Sequence, residues 1–146
     1  MNLLTPHPYV VHYQAQPPLL RGLVLRPLSA VEFTEACEML LVTAQQYQCS
    51  YWLLDGRADE STRPIDVYQW LVEEFLPRVP RALKQVPHLA FVARPSFWDA
   101  LQTRSYPLND PALASPAFRI GWFTEDAAAE DWLNLSRSVP NLVLHY

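Results

Sequence analysis

The chain has 146 residues, half of them hydrophobic, including five tryptophans, seven tyrosines and six phenylalanines, so it is the size of one ordinary domain and can bury a core of its own. Its net charge is −4, it holds a single lysine (Lys84), and its arginines are scattered rather than gathered into a stripe, which removes the electrostatic footprint of a nucleic-acid binder. Fourteen prolines against three glycines, Gly22, Gly56 and Gly121, leave no clustered glycines to bring backbone N–H groups close to a phosphate, which excludes both a dinucleotide fingerprint and a P-loop.

The opening stretch MNLLTPHPYV lacks the basic start and apolar core of a signal peptide. No apolar run approaches the roughly 20 residues that span a bilayer. A soluble, cytoplasmic protein without a membrane span is therefore expected. Residues 9–15 (YVVHYQA) and 21–26 (RGLVLR) are short β-rich runs separated by Gln16-Pro17-Pro18, and prolines belong between strands rather than inside a central one. They predict an antiparallel N-terminal pair. A helix start follows, in which Ser29 and Glu32 form a capping box while Leu28 and Phe33 sit at the positions of a hydrophobic staple. The helix should run from about Ala30 to Gln48, with Phe33, Ala36, Cys37, Leu40, Ala44 and Tyr47 recurring at steps of three and four to pack one face on a sheet. With Cys37 and Cys49 on this one helix, the rise places them about 18 Å apart. That exceeds the roughly 7 Å limit for a disulfide, so two free thiols are expected.

Tyr51-Trp52-Leu53-Leu54 is continuously apolar, as a strand covered on both faces must be. It is the expected central strand. After a charged loop, Pro64 and Asp66 mark the start of the next helix by fixed φ and by charge against the helix dipole, and Pro77 and Pro80 should kink or end it. His88 to Ala93 is the next strand, Pro95 opens a short helix to about Gln102, and residues 103–117 form a long connection rich in breakers. Phe118 to Phe123 is expected as the last parallel strand, with Thr124 capping a helix that holds Glu125 and Asp126 in its first turn. The tail, residues 136–146, ends in PNLVLHY and is expected to add an edge strand or pack on the surface. Strands alternating with helices make the fold class α/β: a mixed sheet of four to six strands, an antiparallel N-terminal pair, then right-handed β-α-β crossovers in a single domain with its core over about residues 9–135.

Within WLLDGR, WLVEEFLPRVPRAL, LAFVARPSFW and FRIGWFTEDAAAEDWL, the chain resembles the small STAS-like proteins of bacteria, relatives of the sulfate-transporter and anti-sigma-factor-antagonist domain. The likeness rests on Leu54-Asp55, on Glu73-Glu74-Phe75-Leu76-Pro77, on Ala90-Phe91-Val92, and on Phe123, Ala129, Trp132 and Leu133. It implies a STAS-like sheet and a non-enzymatic regulatory or protein-interaction module that binds another protein or pairs as a homodimer. Kinase-responsive antagonists carry an Asp-Ser-Ser-Gly type motif after the central strand. Here residues 59–64 read Asp-Glu-Ser-Thr-Arg-Pro, so the resemblance does not carry a phosphorylation switch to Ser61 or Thr62.

Asp55, Arg57, Asp59, Ser61 and Arg63 lie at the C-terminal end of the expected central strand, the side on which open α/β sheets bind ligands, and Arg94 leaves the neighbouring strand at the same end. Two guanidiniums there would hold a small anion, with Asp55 orienting one of them. The plainer alternative is that Asp55 caps the loop and pairs with Arg57 or Arg94 as a structural ion pair. Trp70 and Phe75 offer an exposed apolar patch for a partner or a lipid chain, and a crevice between their helix and the sheet offers the second functional reading, a small-ligand or lipid site. His7, His12, His88 and His145 show no metal-ligand spacing, no nucleophile elbow is present, and neither a metal nor a cofactor is expected. Consecutive Glu73 and Glu74 point about 100° apart on a helix, and Glu74 stands four residues before Arg78, which predicts one surface ion pair rather than a catalytic dyad.

Overall fold

A computed structural model of the chain describes residues 7–59, 65–97, 99 and 117–138. Five strands form one sheet in the order of the sequence: β1 (Tyr9–Ala15), β2 (Pro18–Val24), β3 (Tyr51–Asp55), β4 (His88–Val92) and β5 (Arg119–Phe123). β1 and β2 are antiparallel, with Tyr9 opposite Val24 and Ala15 opposite Pro18. The remaining pairs are parallel, aligning Leu20 with Trp52, Trp52 with Leu89, and Leu89 with Ile120. The α/β class, the N-terminal antiparallel pair and the parallel crossovers are as the sequence predicts. β2 starts earlier than expected, at Pro18, because a strand's first residue tolerates a missing N–H.

Helix α1 (Ala30–Tyr47) opens on the predicted capping box: the Ser29 hydroxyl accepts from the Glu32 N–H at 3.1 Å and Glu32 Oε1 accepts from the Ser29 N–H at 3.0 Å. It closes at Gln48, which takes the left-handed conformation with φ 49° and donates its N–H to the carbonyls of Ala44 and Gln45. Cys49 therefore lies beyond the helix and not on it. Both thiols are nonetheless free and buried.

The helix after the charged loop departs most from expectation. It comprises α2 (Ile65–Trp70), a π-helical turn (Leu71–Phe75) and α3 (Leu76–Ala82), and it runs through Pro77 and Pro80. In the π turn the Leu76 N–H reaches back to Leu71 O, an i→i−5 bond that widens the ladder just where Pro77 would otherwise crowd the carbonyl four residues before it. Of the expected kink or stop at the prolines, the helix shows no stop and carries a π bulge just before them. Residues 95–97 are helical, as Pro95 foretold, and the rest of that helix with the connection 103–116 lies outside the described residues. β5 is followed by α4 (Asp126–Ser138), which starts one residue later than predicted and takes in residues 136–138, assigned by sequence to the tail.

The two faces of the sheet carry separate cores. Leu20, Trp52 and Leu89 point to the side of α1, α2 and α3, where they meet Cys37, Leu40, Tyr68, Leu71, Phe75 and Val79. Leu19, Leu53, Ala90 and Val92 point to the other side and meet Ala129 and Leu133 of α4. This two-sided burial explains the unbroken apolar runs of β3 and β4. Trp52 is fully buried, with its indole N–H donated to Cys49 O at 2.9 Å, so its polar atom is satisfied where no water reaches. Among the described residues no helix is long and apolar enough to cross a membrane.

Candidate functional site

The C-terminal ends of the parallel strands gather most of the residues that the sequence singles out. The loop after β3 continues the ladder for one step, its Gly56 N–H donating to Val92 O at 2.8 Å. It then turns, with the Asp59 N–H reaching Gly56 O at 3.0 Å. Asp55 grips Arg57 through both carboxylate oxygens: Oδ1 accepts from Arg57 Nε at 3.0 Å and from its backbone N–H at 3.1 Å, and Oδ2 accepts from the terminal nitrogen at 2.7 Å. Burial pushes the Asp55 carboxyl up, but the hydrogen bonds from Arg57 outweigh it and hold the group below the usual carboxylate range. Arg94 donates Nε to the Arg57 carbonyl at 2.6 Å, and Asp59 Oδ1 accepts from the Leu28 N–H at 3.3 Å, tying the loop to the residue before the α1 cap.

Arg57 turns its bidentate face to Asp55, and Arg94 meets the Arg57 carbonyl, so the contacts described here are those of a structural ion pair. Asp55, Arg57, Asp59 and Arg94 act together as fasteners that join β3, β4 and the entry of α1. Ser61, with Thr62 and Arg63, lies outside the described residues.

The patch expected from Trp70 and Phe75 is corrected. The two rings stack with centroids 5.7 Å apart, but Phe75 is only 2% exposed and belongs to the core under the π turn. Trp70 is half-buried and faces a shallow groove with Tyr9, Glu38, Met39 and Val42. Nor does Glu74 take Arg78: the guanidinium reaches across to Glu38 of α1, with N–O distances of 2.7 and 2.8 Å. Exposed apolar surface lies instead on the outward face of α1, where Val31, Met39 and Val42 are 65%, 47% and 60% exposed.

What sequence reasoning placed only as a crevice has a definite shape. Between α1, the start of α2 and the sheet lies a cavity of about 140 Å³, lined by α1 residues Phe33, Ala36, Cys37 and Leu40, by strand residues Gly22, Leu54 and Phe91, and by Tyr68, Leu71, Phe75 and Phe97. Asp55, Gly56 and Asp59 line it at the tip of the sheet. Phe33 meets Tyr68 edge-on at 6.3 Å, and Phe91 stacks on Trp122 at 5.0 Å, so the aromatic lining is held by its own ring contacts. Gly22 is the one signal in the sequence that marks the place, because a glycine inside a strand permits close approach. A Cβ there would stand 3.0 Å from a Leu54 methyl and 3.1 Å from a Leu40 methyl. Asp55, Asp59 and Phe75 stood out in the sequence for other reasons, and most of the other lining residues were legible only as core.

No family model, curated protein or solved structure matches this chain. The geometry of the cavity and its mouth therefore carries the functional argument.

Proposed function

We propose that the chain is a non-enzymatic, STAS-like binding module whose working site is the cavity between α1, α2 and the sheet, and that it takes a small apolar ligand. The carrying observation is the cavity of about 140 Å³ with an almost wholly apolar, aromatic-rich lining. Engineered protein cavities of about 150 Å³ lined by Leu, Ile and Phe stay dry and bind benzene. The charges at the sheet tip support binding over catalysis, since Asp55 and Arg57 are spent on each other. Its mouth, at Asp55, Gly56 and Asp59, opens toward the carboxyl ends of the parallel strands, the end that open α/β sheets use for ligands.

Titration of the ¹⁵N-labelled protein with toluene tests the reading. Saturable shifts are expected at Cys37, Leu40 and Tyr68, and Ala36→Phe, which fills the space, should abolish them while leaving the spectrum folded. Absence of shifts in the unsubstituted protein would remove the ligand reading. A second reading, a module that pairs with another copy of itself, is favoured by the exposed Val31, Met39 and Val42 on α1. It predicts a dimer in native mass spectrometry that Val42→Glu dissociates; a monomer at all concentrations sinks it.

A further inference from the structure

The two edges of the sheet differ in character. β5 is five residues long and opens on Arg119, whereas β1 runs for seven residues without a lysine, arginine, aspartate, glutamate or proline. Natural proteins blunt an exposed edge with short strands, charges or prolines. β1 carries none of these guards, and among the described residues only β2 pairs with it.

The Leu25 N–H donates to Pro8 O at 2.9 Å, in register with the pairing of Tyr9 and Val24. Because the bonds of an antiparallel ladder alternate along each strand, Val10, His12 and Gln14 turn their backbone groups to β2, while Tyr9, Val11, Tyr13 and Ala15 turn theirs outward. The outward set is what a further strand would bond. Laid antiparallel against a second β1 with His12 on the two-fold axis, the whole strand pairs with itself, Tyr9 meeting Ala15, Val10 meeting Gln14 and Val11 meeting Tyr13, and outward groups face outward groups. No fixed charge meets its like, and an aromatic ring opposite a β-branched side chain is a favourable cross-strand pair. The Tyr13 ring is already held in place by its stack on Tyr47, with centroids 4.1 Å apart.

The exposed apolar residues of α1 adjoin the same edge. Tyr9 shares its groove with Met39 and Val42, and these two side chains and Tyr47 are exposed. A two-fold axis normal to the sheet puts α1 of each copy on the same face of the joined sheet, so both patches flank the strand joint as one self-complementary surface.

We infer that two copies of this chain join edge to edge through β1, antiparallel about His12, into one continuous sheet flanked by the two α1 patches. This rests on the self-pairing reading and specifies its geometry, and the measurements separate the two. Amide hydrogen exchange of the unsubstituted protein, followed by NMR as its concentration is raised, reads the joint directly. The Val11 and Tyr13 amides should slow about tenfold on dimerisation, while those of Val10, His12 and Gln14, bonded within the chain, hold their protection throughout. Charge placed on the axis gives a second readout, because His12 is exposed and its replacement leaves the core alone. His12→Glu and His12→Lys each set like charges opposite one another and should each weaken the dimer about fivefold. Their equimolar mixture should give more mixed dimer in native mass spectrometry than random pairing. Arg21, opposite position 12 within the chain, is common to both variants, so the mixture isolates the contact across the axis.

A dimer whose Val11 and Tyr13 amides stay fast overturns the edge geometry and leaves self-pairing standing. A monomer at every concentration overturns both. Amides at Val11 and Tyr13 that are already slow in the monomer also overturn the inference, since another segment of the chain then occupies the edge.

Discussion

On the α4 side of the sheet, a Cβ added to Gly121 would fall 2.6 Å from the Phe123 ring and 3.2 Å from Trp132, and Ala129 and Leu133 close the layer over Leu53, Ala90 and Val92. On the α1 side, the corresponding approach at Gly22 ends against two leucine methyls that border open space. The α1 face keeps an aromatic-lined cavity, whereas the α4 face is in contact around Gly121 and opens at its edge, by Leu19, Arg21, Glu130 and Leu133. Protein interiors are normally packed as densely as organic crystals, so a face that leaves its lining atoms without partners forgoes dispersion contacts that the other face makes. The contrast teaches where tolerance and function lie: substitutions should cost most where no space remains and least where space is already built in.

The widest gap should come from truncating one leucine on each side. Leu133→Ala removes a buried leucine from the layer over Leu53, Ala90 and Val92 and should cost about 4 kcal/mol, near the upper part of the range for buried leucines. Leu40→Ala enlarges an existing void whose wall already lacks partners on one side, so about 2 kcal/mol is expected. Urea denaturation of both variants measures the difference. Equal costs would mean that the cavity is not open in solution.

A smaller gap is expected from the two strand glycines. Gly121→Ala must move the Phe123 ring against Trp132, for about 2 kcal/mol. Gly22→Ala presses on leucine methyls with room beside them, and replacing a strand glycine regains up to about 1 kcal/mol of chain entropy, so it should be close to neutral in stability. It should nevertheless weaken toluene binding by displacing Leu54 or Leu40 into the cavity. Denaturation and titration of the same sample test both halves of that statement.

These contrasts also show which parts of the molecule local sequence could reveal. The capping box at Ser29 and Glu32 is legible because its partners are three residues apart, and the burial of β3 is legible because Trp52 and Leu53 are adjacent residues pointing to opposite faces that both need covering. Bonds set by tertiary approach were not legible. Arg78 has Glu74 as its helical neighbour yet reaches Glu38, forty residues away in the chain, and no single residue announces the π turn that carries the helix through Pro77. That turn also places Phe75 in the core, against the expectation of an exposed patch. Of the site, the Asp55–Arg57 ion pair was legible as the plainer reading of the charged loop, although its bidentate geometry depends on the loop's turn at Gly56. The cavity itself was legible only as an unshaped crevice and as the glycine in β2, because a void is the absence of something that several separate segments fail to fill.

The smallest expected effect distinguishes the faces by pH. His88 sits at the start of β4 on the α4 side, its ring stacked on Tyr51 at 4.9 Å and tilted against Trp132 at 6.0 Å, with Nδ1 3.0 Å from Val86 O. Burial lowers its pKa, the Val86 carbonyl opposes that shift, and the nearby Arg119 charge adds to it. The folded state thus binds the proton less readily than the unfolded chain. Stability is fully present above the unfolded value of about 6.5 and falls as the pH drops through it toward the lower folded value. Glu32, held at about 2 by its hydrogen bond to Arg26, and Asp55, also held low, lose their contributions only at more acid pH, below the ordinary carboxylate range. Urea midpoints between pH 7.5 and 5.5 should therefore decline in the unsubstituted protein and decline less in His88→Gln, and saturation with toluene should raise both curves without changing their slopes. A slope that toluene alters would couple the two faces through the sheet and end the view of them as independent layers.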